Sequence, residues 1–226
     1  MMKPLLLALF AASFGVAAAS AQNATARPAA PSLAPPSTPI KTPGSDGFLQ
    51  RWLILEPIRV AGQLTDSAVR TVVKTDYFPN QLTVLPRDGE TLVVGETTLK
   101  WHAVDTLAYN VNLFHFAYGQ KQPTSNVLFW VVTVVHAPRD LVDVRLAIGS
   151  NAASIWWVNG QEVIGIFNDR QAVIDDGVSK RLALKKGPNV IRGAIVNAGG
   201  ATDFCARFLD EAGRPVKGLT VSLASQ

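Results

Sequence analysis

The chain has 226 residues, a formal charge of +4 and one cysteine. The basic residues are densest at Lys180-Arg181 and Lys185-Lys186, beside a strand-like segment where solvated edge charges are ordinary. This excludes the broad basic stripe with interleaved aromatics that nucleic-acid binding requires. A lone cysteine, Cys205, excludes an intramolecular disulfide; stability must come from the core, and Cys205 itself reads as a small buried apolar residue.

Lys3, the apolar run Leu5 to Val16 and the small residues Ala19-Ser20-Ala21 read as a secretory signal over residues 1–21, cleaved after Ala21. The run is short for a membrane span and no later run of about 18 apolar residues follows, so the expectation is an exported protein, periplasmic or extracellular, without a membrane span. No cysteine near the cleavage site can take a lipid. Residues 22–46 carry Pro28, Pro31, Pro35, Pro36, Pro39 and Pro43 among Ala, Ser and Thr. That composition buries too little apolar surface to offset ordering and predicts an extended, mobile tether. Residues 47–226 then form a single domain of about 180 residues, large enough for one core.

Within it, Phe48 to Pro57 is strand-like, with Pro57 at its end or on an edge. Asp66 to Tyr77 spaces Val69, Val72 and Val73 at i, i+3 and i+4 and predicts one short helix, capped by Thr65 or Asp66. Strands are predicted at Thr91 to Val94, Thr97 to Val104, Tyr109 to Phe116 and Val127 to His136; the last is almost continuously apolar, as a strand covered on both faces is. Leu141 to Gly149 alternates Val142, Val144, Leu146 and Ile148 against Asp143, Arg145 and Ala147. Ile155 to Val158 follows, and Asn159-Gly160 suits the two φ > 0 positions of a type I′ turn, folding Gln161 to Ile164 back as a hairpin. Ala172 to Ile174, Lys180 to Leu184, Val190 to Val196 and Thr202 to Leu209 complete the set. Many short strands with one short helix predict an all-β fold, an antiparallel β-sandwich or jelly roll.

Six pieces occur in a telling order: Gly47 to Pro57, Pro86-Arg-Asp-Gly89, Leu99-Lys-Trp101, Leu146 to Asn151, Ile155-Trp-Trp-Val-Asn-Gly160 and Leu184-Lys-Lys-Gly-Pro-Asn189. In this order the chain resembles galactose-binding-domain-like jelly rolls, modules that accompany exported glycoside hydrolases, polysaccharide lyases and acetylxylan-type esterases. The resemblance implies a sandwich of about eight or nine strands, noncatalytic, binding sugar or packing against an enzyme. Relatives often read Gly-Ser-Asp-Asp-Gly before the aromatic strand, where this chain has Gly149-Ser-Asn-Ala-Ala153. Two acidic side chains are missing there, and Asp175-Asp176 alone does not establish the oxygen set that calcium needs, so no cofactor is expected and a structural calcium is left open without support.

No catalytic signature emerges. The three histidines, His102, His115 and His136, make no local metal pattern and lie in or beside predicted strands as structural residues. Neither a Gly-x-Ser-x-Gly elbow nor a Gly-Asp-Ser start is present. Adjacent strand residues point to opposite faces, so if Trp156 faces the core Trp157 faces outward. There an indole can stack on a pyranose while Asn159, Asp169 and Arg170 supply hydrogen bonds; the competing reading covers Trp157 with the Phe167 to Ala172 segment, while Trp52, Trp101 and Trp130 read as core. The functional expectation is a noncatalytic carbohydrate-binding module centred on Trp157, Asn159, Asp169 and Arg170. The alternatives are a structural or protein-interaction accessory of a separate polysaccharide-degrading enzyme and an esterase-type hydrolase.

Overall fold

The computed structural model describes residues 32–223; the signal sequence expected over 1–21 and the linker residues up to 31 lie outside them. Fifteen strands and two helices follow in the order β1 (Leu33–Ala34), β2 (Arg51–Leu55), β3 (Ile58–Arg59), α1 (Asp66–Lys74), β4 (Thr91–Val94), β5 (Thr97–Thr106), β6 (Val111–Asn112), α2 (Leu113–Gly119), β7 (Val127–Ala137), β8 (Leu141–Ser150), β9 (Ala153–Val158), β10 (Gln161–Ile166), β11 (Gly177–Val178), β12 (Leu182–Leu184), β13 (Gly187–Asn197), β14 (Asp203–Leu209) and β15 (Thr220–Ser222). All pairings are antiparallel. One sheet runs β1-β5-β2-β7-β13-β9-β10, with β3 and β15 beside β7 and β4 beside β5; the other runs β11-β8-β14-β6, with β12 beside β8. The fold is the expected antiparallel β-sandwich. Its extra strands are two- and three-residue pieces that flank longer ones.

Alternation builds two apolar layers. Between the sheets lie Trp52, Phe129, Val131, Leu146, Ile148, Trp156, Ile191, Phe204 and Phe208. On the other face of the large sheet, Leu53, Trp101, Leu128, Trp130, Val132, Ile155, Trp157 and Ala194 form a second layer, met by Val69 and Val73 of α1 and by Phe78. Strand β7 therefore is buried on both faces, which is why it reads as one apolar run.

Three of the strand expectations are corrected. Tyr109 to Phe116 is not a strand: β6 is two residues long, and Asn112 then caps α2, its Oδ1 accepting from His115 N at 2.7 Å. Leu113, Phe116 and Ala117, spaced i, i+3 and i+4, are its buried face. The alternation of β8 breaks at Asp143, whose φ of +57° makes a bulge where β12 shifts register. Val142, expected inside, is 72% exposed, and Leu141 is buried instead. Residues 172–174 form no strand, and Val173 and Ile174 are exposed.

The expected mobile tether is fastened over residues 32–46. Leu33 and Ala34 pair with Thr106 and Asp105, and Lys41 bridges to Val221. The buried guanidinium of Arg51 donates to both carboxylate oxygens of Asp105, at 2.8 and 2.9 Å, and to the Thr38 carbonyl at 2.6 Å. Composition predicted too little apolar surface for order, but order here comes from backbone pairing and one buried ion pair.

Candidate functional site

Alternation correctly separates the tandem tryptophans. Trp156 enters the inter-sheet core, donating through Nε1 to Ser154 Oγ at 3.0 Å, while Trp157 lies on the opposite face. The outward indole expected there is covered. Trp157 is only 7% exposed, packed against Trp130 with ring centroids 6.0 Å apart, in the layer that includes Val73 and Phe78. The cover comes from α1 and the loop after it, elements about 75 to 90 residues away in sequence; Phe167, from the expected covering segment, packs at the margin of the same layer.

What Trp157 does reach is a cleft of about 440 Å3. Trp157, Ile155, Val73 and Leu82 give it an apolar floor; Arg70, Lys74, Asp76, Asn80, Thr83 and Glu162 bring polar groups to it. Helix α1 forms one wall because Val69 and Val73 bury its apolar side and turn Arg70 and Lys74 toward the edge. Its N-cap is Thr65, without a side-chain capping bond, and Asp66 and Lys74 lie at the ends the helix dipole favours. Arg70 ties that wall to β10: Nε donates to Asp66 Oδ1 at 2.6 Å, Nη1 to Glu162 Oε1 at 2.8 Å, and the guanidinium lies 5.4 Å from the centre of the Phe167 ring. The loop is braced by Gln81, whose amide donates to the Val73 and Thr75 carbonyls and accepts from Tyr77 N. Two cations and two carboxylates line the cleft, so it carries no net charge.

The other expected site residues are elsewhere. Asn159 adopts φ +51° before Gly160 at +81°, the expected turn, and its side chain is spent on Asn189 Oδ1 and Val190 N at 3.0 and 2.9 Å. Asp169 and Arg170 line a separate pocket of about 510 Å3 with Asn151, Asn197 and Gly199-Gly200. Arg170 pairs with Asp176, and Asp175 pairs with Arg207. The four residues are not brought together, and both carboxylates weighed for calcium are engaged by arginines. Among the described residues no group of three or more His, Cys, Asp or Glu side chains gathers as a metal site.

Sequence reading missed Arg70, Lys74, Asp76, Asn80 and Glu162. The amphipathic spacing of α1 was visible, but its pairing with β10 was not, because the contact spans 92 residues. Of the histidines, His102 lies in β5 with Nε2 3.0 Å from Glu56 Oε1, His136 meets Ser222 Oγ at 2.8 Å, and His115 is on α2 rather than a strand. Burial pushes the Cys205 thiol up to about 11, as befits a packing residue.

No protein-family model matches the sequence, and no curated protein matches it. Among solved structures the chain is similar to a PA14 sugar-binding domain from an RTX adhesin, at 11% identity over 74% of this chain and 94% of that one, with a TM-score of 0.43. It is similar to the PA14 domain of the antifreeze protein MpAFP, at 11% identity over 75% of this chain and 89% of that one, with a TM-score of 0.41. A β-glucosidase from Kluyveromyces marxianus in complex with glucose shares 16% identity over 70% of this chain and 15% of that one, with a TM-score of 0.39. At such distance the likeness carries nothing about activity; what this chain binds is read from its own residues.

Proposed function

We propose that the chain is an exported, noncatalytic module that binds a neutral saccharide in the cleft between α1 and β9–β10. The carrying observation is the lining: an apolar floor of Trp157, Ile155, Val73 and Leu82 beneath a charge-balanced set of polar side chains. A pyranose has the same division, an apolar C–H face and a rim of hydroxyls. Trp157 serves as part of the floor and not as an open stacking surface. Asn80, Asp76 and Lys74 donate to or accept from hydroxyls, and Glu162 does so while still holding Arg70. The reading invokes no cofactor and no covalent step. Export is supported by the pattern of residues 1–21; no helix of the described residues is long and apolar enough to cross a membrane.

A second reading, an accessory that docks on a separate polysaccharide-degrading enzyme, is favoured by the exposed aliphatic side chains Val173, Ile174 and Val178 around β11. Calorimetric titration of the full chain with cellohexaose, xylohexaose and chitohexaose separates the two. Saturable binding by the wild type, weakened about tenfold by Glu162→Gln or Lys74→Ala, supports the cleft. Heat from none of the three probes sinks it in favour of the docking module. Trp157→Ala is the wrong first variant, because its indole belongs to the core.

A further inference from the structure

Away from β9 and β10, the large sheet ends in β5 with β1 along its edge. A pocket of about 380 Å3 opens there, between that edge and α2. Strand register decides which side chains it receives. Leu33 pairs with Thr106 and Ala34 with Asp105, which brings Pro35 beside Val104. Leu33 and Pro35, like His102 and Val104, are two apart in sequence, and all four share the sheet face on which Val104 joins the inter-sheet layer. On α2, His115 and Gly119 stand one turn apart, Phe116 and Gln120 form the next row, and both rows line the pocket. Phe114 and Tyr118, stacked on each other, take the other flank of the helix.

The lining has two halves. Leu33, Pro35, Val104 and the buried Phe116 make an apolar interior. The His102 ring completes it, edge-on to Phe116 with centroids 5.5 Å apart and fixed by Glu56 Oε1, 3.0 Å from its Nε2. The polar groups stand at the mouth: His115 and Gln120 are exposed, and neither side chain is taken by a hydrogen bond among the described residues. No carboxylate belongs to the lining. Asp203, near enough to feel the charge of His115, is engaged by Asn110 Nδ2 at 3.0 Å. Gly119 keeps the mouth open, since a Cβ there would meet nothing within 4 Å. A saccharide carries hydroxyls around its whole rim and would strand several of them against Leu33, Pro35 and Val104. A ligand with a flat apolar ring at one end and acceptor oxygens at the other matches both halves.

We propose that this pocket binds a small aromatic carboxylate, its ring held among Leu33, Val104 and Phe116 and its carboxylate met by His115 and Gln120 at the mouth. The site shares no lining residue with the α1 cleft and stands independently of it. Its Leu33 and Pro35 wall belongs to the segment fastened by Arg51 and Asp105, so a bound ligand also tightens that segment on the sheet.

The test uses the full chain with ring-labelled histidine. It has three histidines: His102 and His115 report the pocket, and His136, bonded to Ser222 Oγ, reports the fold. Cinnamate is the probe and methyl cinnamate its uncharged counterpart. The His102 and His115 signals are expected to move saturably with cinnamate while His136 stays in place, with the ester at least tenfold weaker. Gln120→Ala is expected to weaken cinnamate about tenfold. Gly119→Leu, which fills the mouth, is expected to abolish the response with the His136 signal unchanged. Imidazole signals unmoved by cinnamate at millimolar concentration overturn the inference. So does an equal response to the ester, which removes the carboxylate's role, or an undiminished response in Gly119→Leu, which places binding elsewhere. Movement with cellohexaose in place of cinnamate assigns the pocket to saccharide and also overturns it.

Discussion

Strand β9 sends Trp156 into one apolar layer and Trp157 into another, and the layers are built differently. In the inter-sheet layer Trp156 has its N–H satisfied, meets Trp52 and Phe204 at ring separations of 6.0 and 5.1 Å, and rests on Gly193, where a Cβ would fall 2.6 Å from the indole. In the outer layer Trp130 Nε1 and Arg192 Nη1 are buried without a hydrogen-bond partner, and the cover is one nine-residue helix with its following loop. Two sheets can close on each other over their whole length; a short helix cannot close over a sheet that wide. The outer layer therefore ends in a cleft, and the proposed saccharide site lies where packing is least complete.

The largest effect that would break this contrast is on stability. Trp156→Ala is expected to cost about 3–5 kcal/mol, read as a lower urea midpoint at unchanged slope. Trp157→Ala is expected to cost less, because its ring already meets open space on the cleft side. Equal losses would show that the outer layer is as tightly packed as the inner.

Arg192 gives a smaller effect of opposite sign. It is 2% exposed, and its Nη2 donates to the Val84 carbonyl, with no carboxylate in ion-pair range among the described residues. Burial pushes the guanidinium down from the ordinary arginine range to about 10. Arg192→Met is expected to stabilise by about 1 kcal/mol at pH 7, since an uncompensated charge is removed from an apolar layer. Below about pH 10 the group is charged in both states and the full penalty applies. Between that value and the ordinary arginine range the native chain binds fewer protons than the unfolded one, so wild-type stability gains and the advantage of the variant shrinks. Unfolding of both proteins at pH 8 and pH 11 checks the sign.

The smallest effect is local to the opposite edge. Burial alone would raise the Asp105 carboxyl, but the hydrogen bonds and charge of Arg51, joined by Lys41, hold it below the usual range. The native state thus binds fewer protons there than the unfolded state. The contribution is present above the ordinary carboxyl pKa and is lost as pH falls through the lowered one. Hydrogen exchange in residues 33–41 is expected to quicken in that acid window before the central strands β7 and β13 respond, and Asp105→Asn is expected to reproduce the change at pH 7.

Much of the sandwich was legible because its signals are local. Asn159-Gly160 specifies a turn whatever lies around it, Val127 to Val135 is apolar enough to require cover on both faces, and the Trp156-Trp157 pair must split between faces. The failures are equally specific. Val111 and Leu113 look like strand alternation until Asn112 is seen capping the next turn, and Val142 looks inward until Asp143 takes a positive φ and shifts the register. Of the site, only Trp157 was found, and its exposure was misjudged because the residues covering it come from α1 and the loop beyond.

By itself the sequence determined strand content, the hairpin turn and the two-faced central strands, since these depend on period and on φ at single residues. Tertiary structure alone decided that the proline-rich segment is strapped to the sheet by Arg51 and Asp105, that Arg70 meets Glu162, and that Trp157 floors a cleft. Each joins residues more than 50 positions apart, where no local pattern constrains which partners meet; which ones do is selected by closing both apolar layers at once.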